Sequence, residues 1–260
     1  AANAIAGGLG LPKEKVIAAT NFNHYFGRIY QARYLSGIVA GMKTETNKIG
    51  YVSAMGSENG ECTSGIDAFA MGVASVNPEA TVEVKVTNSW YDPEGEGQAA
   101  QALIDDGCDV IAQHCDTNNP QIAARDAGVW GVGYNSDMTA EVGESVLTSV
   151  VWNWGAYYTA AVQNVIDGTW TPGVHVEDYF GSMADGLLSI TALSSEVAEG
   201  TQEAVDVAKA AIEDGSFDVF TGTYTDAAGN TVGCDGVMEC TGRRYCFPLF
   251  EPVCGYLSGV

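Results

Sequence analysis

Basic residues are scarce: 11 Lys and Arg stand against 33 Asp and Glu in 260 residues, a formal charge of -22. So acidic a chain repels phosphate backbones and anionic lipid headgroups, which argues against nucleic acid as a partner. The plain reading of the excess acid is a solvated face rather than a cation site. Long hydrophobic runs are also missing, and no stretch of about 18 apolar residues is available to cross a membrane as a helix. The opening AANAIAGGLG is small and apolar but lacks a basic flank and a longer apolar region, so it does not read as a signal peptide. Histidines number only three, His24, His114 and His175, and none stands at metal-ligand spacing. The seven cysteines are an odd number, four of them crowded at Cys234, Cys240, Cys246 and Cys254. Their spacing fits no zinc pattern, and both tail disulfides and unpaired thiols stay open. There is no P-loop, and no G-x-G-x-x-G opens a helix. His114 beside Cys115 suggests a nucleophile and its base, but neighbours on a strand point to opposite faces. No catalytic residue, metal or cofactor is therefore assigned, and an enzyme is not expected.

What is present is a repeating order of elements, with 46% hydrophobic residues to bury. KIGYVSAM reads as a strand, and Ile66, Phe69, Ala70, Val73 and Val76 then recur at helical spacing. Val82, Val84 and Val86 alternate with Glu83 and Lys85 as a half-buried strand, and EGQAAQALIDDG reads as a helix stopped at Gly107. DVIAQH is a third strand. NNPQIAARDAG is a helix with an Asn cap, Pro120 in its first turn and Gly128 beyond its end. VWGVGY and VLTSVV add strands, while GAYYTAAVQNVIDG and TQEAVDVAKAAIEDG add helices. Before them, KVIAAT reads as a lone strand and GRIYQARYLSGIVAGM as a helix; near the other end, TDAAGNTVG reads as a hairpin turning at Gly-Asn. Strands alternating with helices of this length predict an α/β fold, a mostly parallel sheet flanked by helices.

In open α/β sheets, ligands bind beyond the carboxyl ends of the strands, where loops meet helix N-termini. Those ends read SAMGSEN, NSWYDP, QHCDTNN, YNSDM and VWNWG. Trp90, Asp116, Asn135, Asp137 and Trp152 stand at equivalent places and outline a pocket with flat walls and a hydrogen-bonding rim. Each also has a plainer reading. Trp90 could be an edge-of-core ring, Asp116 a cap for the helix near Pro120, and Asn135 with Asp137 an Asx-turn. Asp92 before Pro93 reads as a helix start. Trp152 and Trp154, two apart after a strand, are expected to face opposite ways.

YFGRIYQARYLSGIVAGMKTETNKIGYV, NSWYDP, ALIDDGCDVIAQHCD, GYNSDM and LTSVVWNWGAYYTAAVQNVIDGTW together resemble the basic membrane protein family of bacterial substrate-binding lipoproteins, from about Tyr25 to Phe220. A purine nucleoside receptor of an ABC transporter is among its members. The resemblance implies a type I periplasmic-binding fold of two α/β lobes with a purine in the cleft, and delivery of that ligand to a membrane permease. It also implies a place outside the cytoplasm, as a lipid-anchored or periplasmic protein. Trp90 matches the family's stacking aromatic in W-x-D-P, and Asp116 and Asp137 match its acidic positions. Asn135 and Trp152 stand where an Asp and a Lys hold ribose in the nucleoside receptors, and Ala184 in GSMADG replaces a lysine, so a free base becomes the better expectation.

Against that family the chain reads as a fragment. Residues 1–45 are expected to be a remnant of the first lobe with a crossing helix, 46–150 the second lobe, 151–175 a crossing segment and returning helix, and 176–260 a return segment, helix, hairpin and divergent tail. With most of one lobe missing, weak purine binding is expected from the chain alone. The alternative is a ligand-sensing regulatory domain on the same fold.

Overall fold

The structure is a computed structural model and describes residue 23, residues 25–171 and 179–220, and the backbone of 222–225 and 231–234. The lone strand expected at Val16 to Thr20 lies outside the described residues, as do the hairpin turn at Gly229 and Asn230, His24, His175, and the tail beyond Cys234.

Among the described residues, six strands form the main sheet in the order β3-β2-β4-β5-β6-β8: β3 (Thr81–Val86), β2 (Lys48–Ser53), β4 (Val110–His114), β5 (Trp130–Tyr134), β6 (Val146–Trp152) and β8 (Leu188–Ile190). All neighbours pair in parallel except β8, which runs antiparallel to β6 with Trp152 opposite Leu188. The middle strands are buried on both faces, as near-continuous apolar runs such as VIA in β4 require. Edge strand β3 is only half covered, and of its alternating valines Val82 alone is buried. Two smaller pairings stand apart from this sheet: β1 (Tyr25–Gly27) runs parallel to β7 (Tyr179–Gly181), and β9 (Gly222–Thr225) is antiparallel to β10 (Thr231–Cys234).

Helix α1 (Tyr30–Lys43) crosses α2 (Gly60–Val76) at backbone contact. A Cβ on Gly37 would lie 2.1 Å from the Phe69 carbonyl oxygen, and one on Gly72 would lie 2.0 Å from that of Tyr34. Leu35, Ile38 and Val39 of α1 share one core cluster with Leu147 and Val150 of β6, Leu188 of β8, and Val205 of α7 (Thr201–Glu213). The core around the sheet thus draws on segments both before residue 46 and after residue 176.

Local signals set the element ends. Asp92 caps α3 (Pro93–Asp105) by accepting from the Gly95 amide at 3.0 Å, with Pro93 next to it, and Gly107 leaves the helix at φ +95. Helix α4 (Asn119–Ala127) ends on left-handed Gly128. Its start differs from the expected Asn cap. The Asn118 side chain turns out to Glu141, and Thr117 Oγ1 accepts from the Asn119 amide at 3.3 Å instead. Helix α5 (Met138–Val142) and α6 (Trp154–Ile166) complete the chain order. Among the described residues, no helix is long and apolar enough to cross a membrane.

Candidate ligand-binding site

Strand β2 pairs with β3 on one side and β4 on the other, so the strand order switches there, and in open α/β sheets ligands bind beyond the carboxyl ends at such a switch. Glu61 stands in the first turn of α2 after β2, Trp90 follows β3, and Asp116 follows β4. His114 and Tyr134 are the last residues of β4 and β5.

Trp90 is half-buried and packs against two core clusters, so part of its ring is indeed an edge of the core. Its ring meets the edge of His114 with centroids 5.8 Å apart, and His114 meets Tyr134 in the same manner at 4.5 Å. Tyr134 then accepts a hydrogen bond from Trp152 Nε1 at 3.0 Å. Two of the five expected site residues, Trp90 and Trp152, are thereby joined through His114 and Tyr134. Asn135 Nδ2 donates to Asp116 at 3.4 Å, and both side chains are exposed. The Asp116 amide donates to the Trp90 carbonyl at 2.8 Å, which ties this pair to the tryptophan turn. Asp116 therefore does not cap α4. Partial loss of solvent on one side of the carboxylate, reinforced by the Glu96 and Glu61 carboxylates and opposed by the Asn135 hydrogen bond, raises its pKa. Asp137 instead caps α5, accepting from the Thr139 amide at 3.2 Å, and makes no hydrogen bond to the other four among the described residues. Asn135 itself holds a left-handed backbone at φ +72, a conformation that Asn tolerates better than most residues and that recurs at functional sites.

Trp152 and Trp154 do not face apart. Strand β6 ends at Trp152 and α6 begins at Trp154, so the turn at Asn153 breaks the alternation and stacks the rings, centroids 4.5 Å apart and planes 14° apart.

Beneath the aromatics lies a polar network that the sequence reading did not single out. Tyr134 Oη donates to Glu61 Oε1 at 2.9 Å, and His114 Nε2 lies 3.3 Å from the same oxygen. Tyr51 Oη lies 3.3 Å from His114 Nδ1. The donors and acceptors balance with His114 neutral: Nε2–H donates to Glu61 and Nδ1 accepts from Tyr51. Burial, aided by the nearby Arg33 charge, pushes His114 down to about 4, against the pull of Glu61. Burial by itself would raise Glu61, but the hydrogen bonds from His114 and Tyr134 together with the Arg33 charge hold it below the ordinary carboxylate value. Gly65 gives the imidazole its room, since a Cβ there would sit 2.7 Å from Nδ1.

Arg33 is fully buried in α1. Its Nη1 donates to the Gln113 carbonyl at 2.6 Å, and its guanidinium lies 4.4 Å from the Tyr134 ring centroid and 5.7 Å from that of Tyr51. Glu96, also fully buried, accepts from the Asp92 and Thr117 amides and from the Thr117 hydroxyl, locking the tryptophan turn to the Asp116 loop. His114 and Tyr134 were open to sequence reasoning as the closing residues of two strands. Arg33 and Glu96 carry no such signal, because a charged residue in a helix reads as exposed until packing buries it.

Cys115 packs in the cluster with Cys62 and Leu103, on the other side of the sheet from the His114 contacts, as strand alternation requires. Among the described residues, Cys62, Cys108 and Cys115 are free and buried, and no group of His, Cys, Asp and Glu could hold a metal ion.

The fold matches solved structures of proteins with differing names. A solute-binding protein of an ABC transporter system from Aeropyrum pernix K1 superposes with a TM-score of 0.66 at 14% identity, covering 76% of this chain and 66% of that one. One from Conexibacter woesei gives 0.60 at 21%, covering 77% and 66%. A transcriptional activator of the comK gene from Bacillus halodurans gives 0.64 at 23%, covering 76% and 68%. These likenesses define the class, the type I periplasmic-binding fold. Within that class, residues 11–214 match the family described as ABC transporter substrate-binding protein PnrA-like, and the chain belongs to it. Over 203 residues it is 39% identical to a protein of Haloferax volcanii provisionally named an ABC transporter glucose-binding protein, covering 78% of this chain and 50% of that one. It is 34% identical over 204 residues to a purine-binding protein of Brucella abortus, covering 78% and 56%. The chain thus spans about half the length of these curated relatives.

Proposed function

We propose that this chain is the ligand-binding part of a substrate-binding component of an ABC importer, working outside the cytoplasm and delivering a purine, preferably the free base, to a membrane permease. The observation that carries the reading is Trp90, half-buried at the carboxyl end of β3, with the exposed Asp116 and Asn135 pair hydrogen-bonded beside it. A ring held in that way offers a stacking platform, worth about 1–3 kcal/mol per base, and the amide and carboxylate offer partners for a base edge. The name of the 34% identical relative supports a purine. Asn135, Trp152 and Ala184 leave a ribose with few charged partners, so its hydroxyls would lose water without replacement.

The test is calorimetric competition of adenine against adenosine in the full-length protein. Adenine should bind tighter by about tenfold, roughly 1.4 kcal/mol. Trp90→Ala should weaken both ligands together, because stacking does not sense the sugar. Equal affinity for the two, or preference for the nucleoside, refutes the base preference. The second reading, a hexose, is favoured by the name of the 39% identical relative, and glucose belongs in the same titration. Binding of glucose with no purine affinity would replace the proposal.

A further inference from the structure

We infer that Glu61 is a ligand-contacting residue, whose second carboxylate oxygen accepts a fixed N–H from the edge of the bound molecule. The inference rests on the proposed nitrogenous ligand and adds the residue that would select it. Glu61 Oε1 is already doubly engaged, by Tyr134 Oη at 2.9 Å and His114 Nε2 at 3.3 Å. Oε2 makes no hydrogen bond among the described residues, yet the side chain is 19% exposed, whereas His114 below it is at 0%. The carboxylate is held, therefore, with one oxygen spent and one available. It is also placed between the tryptophans: its partner His114 meets Trp90, and its partner Tyr134 holds Trp152.

Charge and chemistry narrow the class of ligand. Glu61 is ionised at neutral pH, its carboxyl being held below the ordinary carboxylate value. Arg33, buried over the Tyr134 ring, already lies close enough to offset that charge, so the ligand need not be a cation. A carboxylate oxygen only accepts, so the group facing it must donate. A ring N–H or exocyclic amine is fixed as a donor. A sugar hydroxyl can donate or accept and adapts to either partner. That difference makes one substitution informative: Glu61→Gln keeps a carbonyl oxygen for Tyr134 and His114 but turns the available atom from acceptor to donor.

Adenine, glucose and 1,3,7-trimethylxanthine, which has no N–H, are titrated into wild-type full-length protein and E61Q. Adenine affinity should fall at least tenfold in E61Q, while that of the trimethylated purine changes less than threefold. Glu61→Asp, which keeps the charge but withdraws it by one methylene, should also lose adenine at least tenfold, so a misfolded E61Q does not end the test. Adenine binding that is equal in wild type, E61Q and E61D overturns the assignment and leaves the purine reading intact. A wild-type protein that binds neither purine overturns both. A protein that binds glucose alone, with E61Q unchanged, does the same.

Discussion

His114 makes stability depend on pH in a direction and by an amount that can be worked out beforehand. Its ring is completely buried, and burial with the Arg33 charge lowers it from 6.5 to about 4. In the unfolded chain the imidazole takes up a proton near 6.5; in the folded chain it does so only near 4. Between these values the unfolded state binds the additional proton, so stability rises with pH across the window and is lost as pH falls from 6.5 towards 4. A gap of about 2.5 pH units at about 1.4 kcal/mol per unit gives ~3.5 kcal/mol in full, of which about 3 kcal/mol is lost by pH 4, a large share of the roughly 5–15 kcal/mol available to a folded domain. Urea unfolding of wild type and His114→Gln, measured at intervals from pH 8 to 4, reads the effect, because every titrating group except Glu61, which His114 contacts, keeps its surroundings in both. Glu61, held below 4.5, adds its own loss only at the acid end of the window. Wild type should lose about 3 kcal/mol more than the variant over the range. Parallel curves, or a steeper loss in H114Q, would refute the placement of a neutral imidazole in this core.

Three further outcomes follow from packing and backbone. Gly72→Ala would drive a Cβ to 2.0 Å from the Tyr34 carbonyl oxygen and should cost about 3 kcal/mol, whereas Gly97→Ala, whose nearest neighbour is the Asn119 Cβ at 3.7 Å, should stabilise α3 by roughly 0.5–1 kcal/mol in thermal melts. Asn135→Ala should cost about 1 kcal/mol through its left-handed backbone, while Asn135→Gly stays near neutral; equal losses in the two would place the cost in the Asp116 hydrogen bond instead. Asp67 is pushed up to about 8 by burial, so its folded form keeps a proton that the unfolded chain releases near 3.8, and stability falls as pH rises between those values. Asp67→Asn should therefore gain on wild type by a few kcal/mol between pH 4 and 8, on the order of 1.4 kcal/mol per unit at most, and a pH-independent difference would show that the carboxyl is solvated.

The sequence determined by itself whatever depends on neighbours along the chain. Helix and strand periods were legible because a half-buried element repeats its apolar positions every 3.6 or 2 residues, and the ends were legible because Asp92, Pro93, Gly107 and Gly128 satisfy or release backbone groups locally. The alternation of these elements was enough for a parallel sheet, and the sheet was enough to direct attention to its carboxyl ends, where Trp90, Asp116, Asn135 and Trp152 stand. Tertiary structure decided what chain proximity does not encode. The pairing of Trp152 with Trp154 depends on a strand giving way to a helix at Asn153, against the alternation that two strand residues would follow. The burial of Arg33, and the convergence of His114, Tyr134 and Glu61 from two strand ends and a helix start, arise only when three crossovers bring those segments together. A charge in a helix costs little to expose and much to bury. Which of the two occurs is set by what packs over it, and in this protein that is decided by Tyr51 and Tyr134 of the sheet.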